Sequence, residues 1–334
     1  MARVPLSVLD LSPVGTGQTS GAALHASARL AQAAEAEGYQ RYWVAEHHAM
    51  PMVASTSPAV LLAHVGALTS TIRLGSGGVM LPNHAPLVVA EQFAMLEALH
   101  PGRVDLGIGR APGSDPATAA ALRRTLDLSA EDFPGELDTL LRMLGDPTLP
   151  APRGGAIAPT PAPGSSPAVW LLGSSDYGAR AAAGTGLPYA FAHHFAPAGT
   201  ELALETYRAL FQPSSALARP YSMIVAAVLV APTEDEAQRL ALPQQLVQVA
   251  LRTGRPRPVP TVEEALAHEW TPMERAVLEH SPSTPVVGEP GKVVAELDEL
   301  VERTGVDELM VVTSTYAPEH RERSLRLLAE AWRG

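Results

Sequence analysis

A chain of 334 residues, 46% hydrophobic and 18% charged, has ample material for a large core, and barrels of alternating strands and helices commonly reach this size as one unit. The formal net charge of −11 disfavours an extended nucleic-acid surface, so any bound phosphate must be met by local groups. The lack of cysteine removes disulfides, zinc–thiolate sites, iron–sulfur clusters and thiol nucleophiles together.

The opening run MARVPLSVLDLSP is too short for a signal segment and is interrupted by Asp10. No stretch has membrane-spanning length, so a soluble, cytoplasmic protein without a membrane partner is expected. Val4 to Asp10 reads as the first strand. Gly21 to Glu37 follows as an amphipathic helix closed by Gly38. Arg41 to His48, RYWVAEHH, is a short buried strand of β-formers running directly into Glu46, His47 and His48. A rigid strand tip carrying an acid and two imidazoles suits proton transfer better than packing.

Ser57 and Pro58 cap and open a helix to about Thr69. Ile72 to Gly78 is the third strand, and its adjacent Gly77 and Gly78 suggest a bulge or a close backbone approach to something flat. A helix from Pro86 to Leu99 ends at His100-Pro-Gly102, and the fourth strand, Arg103 to Gly109, leads into Arg110-Ala-Pro-Gly113. Residues 116 to 145 read as helical. Asp146 to Pro167, dense in proline, glycine and alanine, reads as an irregular excursion. Ala168 to Leu172 is the fifth strand, followed by Gly173-Ser-Ser-Asp-Tyr-Gly178 and a short helix; Pro188 to Ala192 is the sixth, ending at His193 and His194.

A helix near Gly199 to Phe211 precedes the seventh strand, Met223 to Val230. Residues 233 to 285 form the longest insertion, with two helical patterns separated by Arg255-Pro-Arg-Pro-Val-Pro260. Gly288 to Thr304 is again helical, Glu308 to Val312 is the eighth strand, and Glu319 to Trp332 closes the chain as a helix. Eight strands each followed by a helix predict an α/β fold, a single (β/α)8 TIM barrel over 1–334 with insertions.

In such a barrel the carboxyl ends of all strands lie on one rim. Asp10, Glu46, His47, His48, Gly77, Gly78, Arg110, the Gly173 to Gly178 loop, His193 and His194 all fall there. Arg110 offers a forked guanidinium to a phosphate, and Gly173-Ser174-Ser175 opening a helix offers backbone N–H groups and two hydroxyls. Histidines 47, 48, 84, 193 and 194 carry a metal alternative, but the carboxylate density of a bimetal site is missing.

In order and spacing, EHH after strand two, GSGGVMLPNHAP after strand three, GRVDLGIGRAPGS at strand four, LLGSSDYGARAAA at strand five and DELMVVTSTY near the end resemble the bacterial-luciferase-like flavin monooxygenases. The resemblance spans nearly the whole chain. It implies a (β/α)8 barrel binding reduced FMN non-covalently, with a separate flavin reductase supplying it, O2 forming a flavin C4a-hydroperoxide, and a small-molecule substrate being oxygenated. His47 matches the catalytic imidazole of the family, with Glu46 beside it. Gly77 and Gly78 match a non-prolyl cis bulge beneath the isoalloxazine, and Arg110, Ser174, Ser175 and the backbone near Gly178 match the phosphate site. A homodimer is expected. Gly109 stands where bacterial luciferase has a cysteine, and only one type of chain is in hand, so light emission and a long-chain aldehyde are not expected. Two alternatives stay open: an F420-dependent hydride-transfer enzyme on the same barrel, and a flavin-binding protein without catalysis.

Overall fold

Along the first strand, Leu6, Val8 and Asp10 turn outward to the helices while Ser7 and Leu9 turn inward, and this two-residue alternation recurs around a closed sheet. The computed structural model describes residues 3–111, 116–122, 132–145, 158–161, 165–281 and 285–334. In chain order its first half runs β1 (Leu6–Asp10), α1 (Ser20–Ala36), β2 (Arg41–Val44), α2 (Pro58–Gly66), β3 (Arg73–Ser76), β4 (Val79–Met80), α3 (Pro86–Leu99), β5 (Val104–Gly109), α4 (Pro116–Leu122) and α5 (Phe133–Met143). The second half runs β6 (Ala168–Gly173), α6 (Asp176–Thr185), β7 (Tyr189–Phe191), α7 (Thr200–Leu210), β8 (Ser222–Val230), α8 (Glu234–Arg252), α9 (Val262–Leu266), α10 (Pro272–Glu279), β9 (Val286–Gly288), α11 (Pro290–Thr304), β10 (Glu308–Val312) and α12 (Pro318–Arg333).

Parallel pairing joins β1, β2, β3, β5, β6, β7, β8 and β10 in that order, and β10 returns to β1. The expected eight-stranded barrel is therefore closed, with β4 continuing β3 alongside β5 and β9 pairing with the last residues of β8. Outward residues such as Leu74, Leu106, Tyr189 and Val311 bury against the helices. Inside, Leu9, Trp43, Trp170, Met223, Val225 and Met310 fill the middle.

The amino end of the interior is ionic. Arg41 donates to Asp105 at 2.9 Å and to Glu308 at 3.0 Å, and Arg73 reaches the other Asp105 oxygen at 2.6 Å. The Trp43 indole N–H donates to the same Asp105 oxygen as Arg41, the Tyr221 hydroxyl and Ser7 donate to Glu308, and the Arg41 guanidinium lies 4.8 Å from the Trp170 ring centroid. Burial alone would lower the Arg41 pKa, but Asp105 and Glu308 outweigh it and raise it. Such a plug is tolerable in a low-dielectric interior only because each charge has a partner.

Three sequence expectations change. The third strand is interrupted after Ser76 and resumes as β4, with Gly77 and Gly78, joined by a cis peptide bond, at the break. The insertion carries three helices, since Thr261 with Glu264 and Thr271 with Glu274 each form a capping box that starts a separate short helix. β9 follows it as an extra strand too short, at Val-Val-Gly, to show a period. Most of the 146–167 excursion and residues 112–115, Gly113 among them, lie outside the described residues.

Candidate active site

Four neighbouring strand ends carry most of the singled-out residues. Beyond β2 the chain puts the Glu46 carboxylate into a buried position and leaves His47 and His48 half-buried. His48 Nε2 and His84 Nε2 meet Glu46 Oε1 at 3.0 and 2.9 Å, and the Met80 backbone N–H donates to Oε2 at 3.1 Å. Burial would raise the Glu46 pKa, but His84, His48 and the Met80 amide outweigh it and hold the carboxyl below its ordinary value. Glu46 thus ties the β2 end to the segment after β4 and gives two imidazoles fixed orientations. The His47 backbone N–H donates to the Ser55 carbonyl at 3.0 Å, which sets the turn that carries its ring.

The next strand end is built from glycines. A Cβ on Gly77 would stand 2.7 Å from Leu9 Cδ1, and one on Gly78 would stand 2.9 Å from the Gly107 carbonyl oxygen. Ser76 Oγ accepts from the Gly107 N–H at 3.0 Å and donates to its carbonyl at 2.9 Å, locking the segment to β5. The result is bare backbone over Leu9 and Trp43 at the barrel mouth.

Arg110, one residue past β5, places its guanidinium 3.8 Å from the Tyr177 ring centroid. Tyr177 lies in the first turn of α6, so this stacking brings the cation to the helix N-terminus. Ser175 is the N-cap residue, and its side chain bonds none of the helix N–H groups; Ser174 and Ser175 are both exposed, while Asp176 is engaged by Arg180 at 2.5 Å. Gly178 packs the first turn of α6 onto β6, since a Cβ there would meet the Gly173 Cα at 3.1 Å. A guanidinium, two hydroxyls and unclaimed helix N–H groups on one spot are the donor set a phosphate monoester requires. On the neighbouring stretch of rim Gly77 and Gly78 must lack side chains because Leu9, Trp43 and the Gly107 carbonyl fill the space a Cβ would need, and bare backbone beside a phosphate-type donor set fits a phosphorylated planar ring.

The remaining strand ends are different. Asp10 sits at the end of β1 but faces away from the rim: Arg321 and Tyr42 hold its carboxylate in the layer between barrel and helices, so its place among rim groups is corrected. The outward parity of β1 decides this. His193 Nδ1 meets Thr200 Oγ1 at 2.8 Å. His194 Nδ1 meets the Val225 carbonyl at 3.1 Å, and its pKa is depressed to about 4. Burial is the main cause, opposed by the Val225 carbonyl and reinforced by the nearby His193 and His47. Beside His194 a cavity of about 580 Å³ opens under α8, walled by Leu11, Ala227, Leu229, Gln245 and Val312. Among the described residues, no group of three or more His, Asp and Glu side chains is arranged to hold a metal.

The sequence reading missed Tyr177 as the seat of Arg110 and His84 as a Glu46 partner. A tyrosine at a helix start carries no signal of its own, and His84 is 38 residues from Glu46. His194 was visible as a rim histidine, but its carbonyl tether was not.

Residues 4–308 match the family model described as luciferase-like monooxygenase. A luciferase-like monooxygenase of Escherichia coli (strain K12) is 41% identical, over 97% of this chain and 96% of the other. The N-acetyl-S-alkylcysteine monooxygenase of Bacillus subtilis (strain 168) is 33% identical, over 98% of each chain. Among solved structures, apo-MsnO8 superposes with a TM-score of 0.90 at 39% identity, covering 98% of both chains.

Proposed function

The chain belongs to the luciferase-like monooxygenase family, and from that premise we propose that it uses reduced FMN and O2 to oxygenate a small organic substrate. A separate flavin reductase supplies the reduced flavin in this proposal. The observation that carries it is the placement of Arg110 and the open N-terminus of α6 on the same stretch of rim as the Gly77–Gly78 backbone. The same pair of features would suit the phosphate and ring of FMN.

When bound, FMN supplies the redox chemistry. Arg110, Ser174, Ser175 and the first N–H groups of α6, up to Gly178, hold its phosphate. Gly77 and Gly78 let the ring approach the backbone. His47 exchanges the proton that accompanies oxygen transfer, a task for which an imidazole ring can serve as acid or base. Glu46, buried behind it, keeps His48 and His84 in place and the β2 end rigid. The cavity beside His194 receives the substrate.

The test is oxygen consumption by the purified chain with added reduced FMN and a panel of small thioethers, ketones and alcohols. Substrate-dependent oxygen uptake with an oxygenated product supports the proposal. Hydride transfer from reduced F420 without oxygen uptake would replace it with the deazaflavin alternative, and flavin binding without turnover on any substrate would leave a binding protein. A homodimer belongs to the same proposal, and Val60 on α2 and Val88, Met95 and Leu99 on α3 are exposed apolar side chains available to it. Light scattering on the purified chain checks it, with the mass of two chains as the expected outcome.

A further inference from the structure

We propose that His194 contacts the substrate itself, its unprotonated Nε2 accepting a hydrogen bond from a hydroxyl or N–H group on an otherwise apolar molecule seated in the cavity under α8. This rests on the monooxygenase reading for the reaction that follows, but not for the seat.

The tautomer follows from hydrogen-bond chemistry. A peptide carbonyl has only lone pairs, so the 3.1 Å contact between His194 Nδ1 and the Val225 oxygen requires the proton on Nδ1. In the neutral ring the lone pair then belongs to Nε2. The backbone N–H of His194 donates to the same Val225 oxygen at 2.9 Å, so main chain and ring are tethered to one point on β8. The Phe195 ring lies 4.0 Å away, centroid to centroid, and closes one side. A ring fixed this way aims one acceptor atom and has little freedom to choose another.

The surroundings keep the ring neutral. His193 on the same turn and His47 from the β2 end both oppose a second proton on it, and burial does so more strongly. From α8 and α11 the charged groups on the cavity wall are Arg252, Lys292 and Glu296, and Lys292 is held by Glu234 at 2.7 Å. His194 therefore offers an acceptor at neutral pH beside Leu11, Ala227, Leu229 and Val312, with Gln238, Gln244, Gln245 and Gln248 of α8 also on the wall. A ligand without a donor would strip water from Nε2 and return nothing. One with a donor replaces that water, which makes the contact a selector.

The experiment uses the full chain with 15N-labelled histidine and two matched probes, 4-propylphenol and its methyl ether 4-propylanisole. The 15N spectrum at pH 7 should include the signal of a neutral histidine with its proton on Nδ1 that disappears in His194→Phe. The phenol should bind about tenfold to a hundredfold more tightly than the ether and shift that Nε2 resonance. His194→Phe should bind the two probes alike, and His194→Gln, whose side-chain oxygen is also an acceptor, should keep part of the preference. Equal affinities in the parent chain, a preference that survives in His194→Phe, a proton on Nε2, or no saturable binding of either probe overturns the proposal. Because no flavin is present, a separate FMN titration that fails counts against the monooxygenase reading alone.

Discussion

The two ends of the barrel use charge in opposite ways. At the amino end Arg41, Arg73, Asp105 and Glu308 satisfy one another across the interior, drawn from β2, β3, β5 and β10. At the carboxyl end Arg110 meets the face of Tyr177, Ser174 and Ser175 face outward, and His194 keeps one ring nitrogen uncommitted. Polar groups that close on each other specify the fold, whereas groups left one partner short at a strand end are available to a ligand. The middle of the barrel, packed with Trp43, Trp170 and Met310, separates the two populations.

The comparison breaks first, and most strongly, at the plug. Glu308→Ala should destabilise the fold by about 3–5 kcal/mol, since it leaves Arg41 short of one of its two carboxylates in a buried site; urea unfolding measures it. A loss under about 1 kcal/mol would make the plug as dispensable as a surface pair. At the other end His47→Ala should leave the unfolding midpoint nearly unchanged while lowering turnover by about 10²-fold or more. Steady-state oxygen uptake checks this, and equal rates in variant and parent would remove His47 from the chemistry.

Arg110→Ala should weaken FMN by roughly tenfold to a hundredfold, the worth of a charge-assisted hydrogen bond. Fluorescence titration measures it, and unchanged affinity would move the phosphate elsewhere. The smallest effect concerns Glu46, whose carboxyl is held below its ordinary pKa in the fold. A lowered folded-state value means its pairing with His84 and His48 contributes fully above the unfolded pKa of about 4.5 and fades as pH falls through the depressed value. Melting temperature plotted against pH should therefore drop more steeply below about pH 4.5 in the parent than in Glu46→Gln. Parallel curves would detach Glu46 from acid stability.

Much of the carboxyl end was legible because its residues occur in short runs. EHH, the paired glycines and Gly-Ser-Ser each mark a strand end by local rules, and the eightfold alternation gathers strand ends onto one rim. The amino end left almost no trace. Arg41 and Glu308 are 267 residues apart, and nothing near either one distinguishes a plug from a surface charge. Asp10 shows the same limit within one strand, since only inward or outward parity separates a rim carboxylate from the buried partner of Arg321.

From its residues alone, then, this protein was determined to be an eight-stranded parallel barrel with its acid, imidazoles, glycine pair and anion donors at the strand ends, because periodicity and turn chemistry are local properties of a chain. Tertiary structure alone decided which of those groups remain open. Tyr177 seats Arg110, His84 and His48 enclose Glu46, and Val225 sets the His194 tautomer. Each is a contact between separate elements, and hydrogen-bond valence is spent only when the chain has closed.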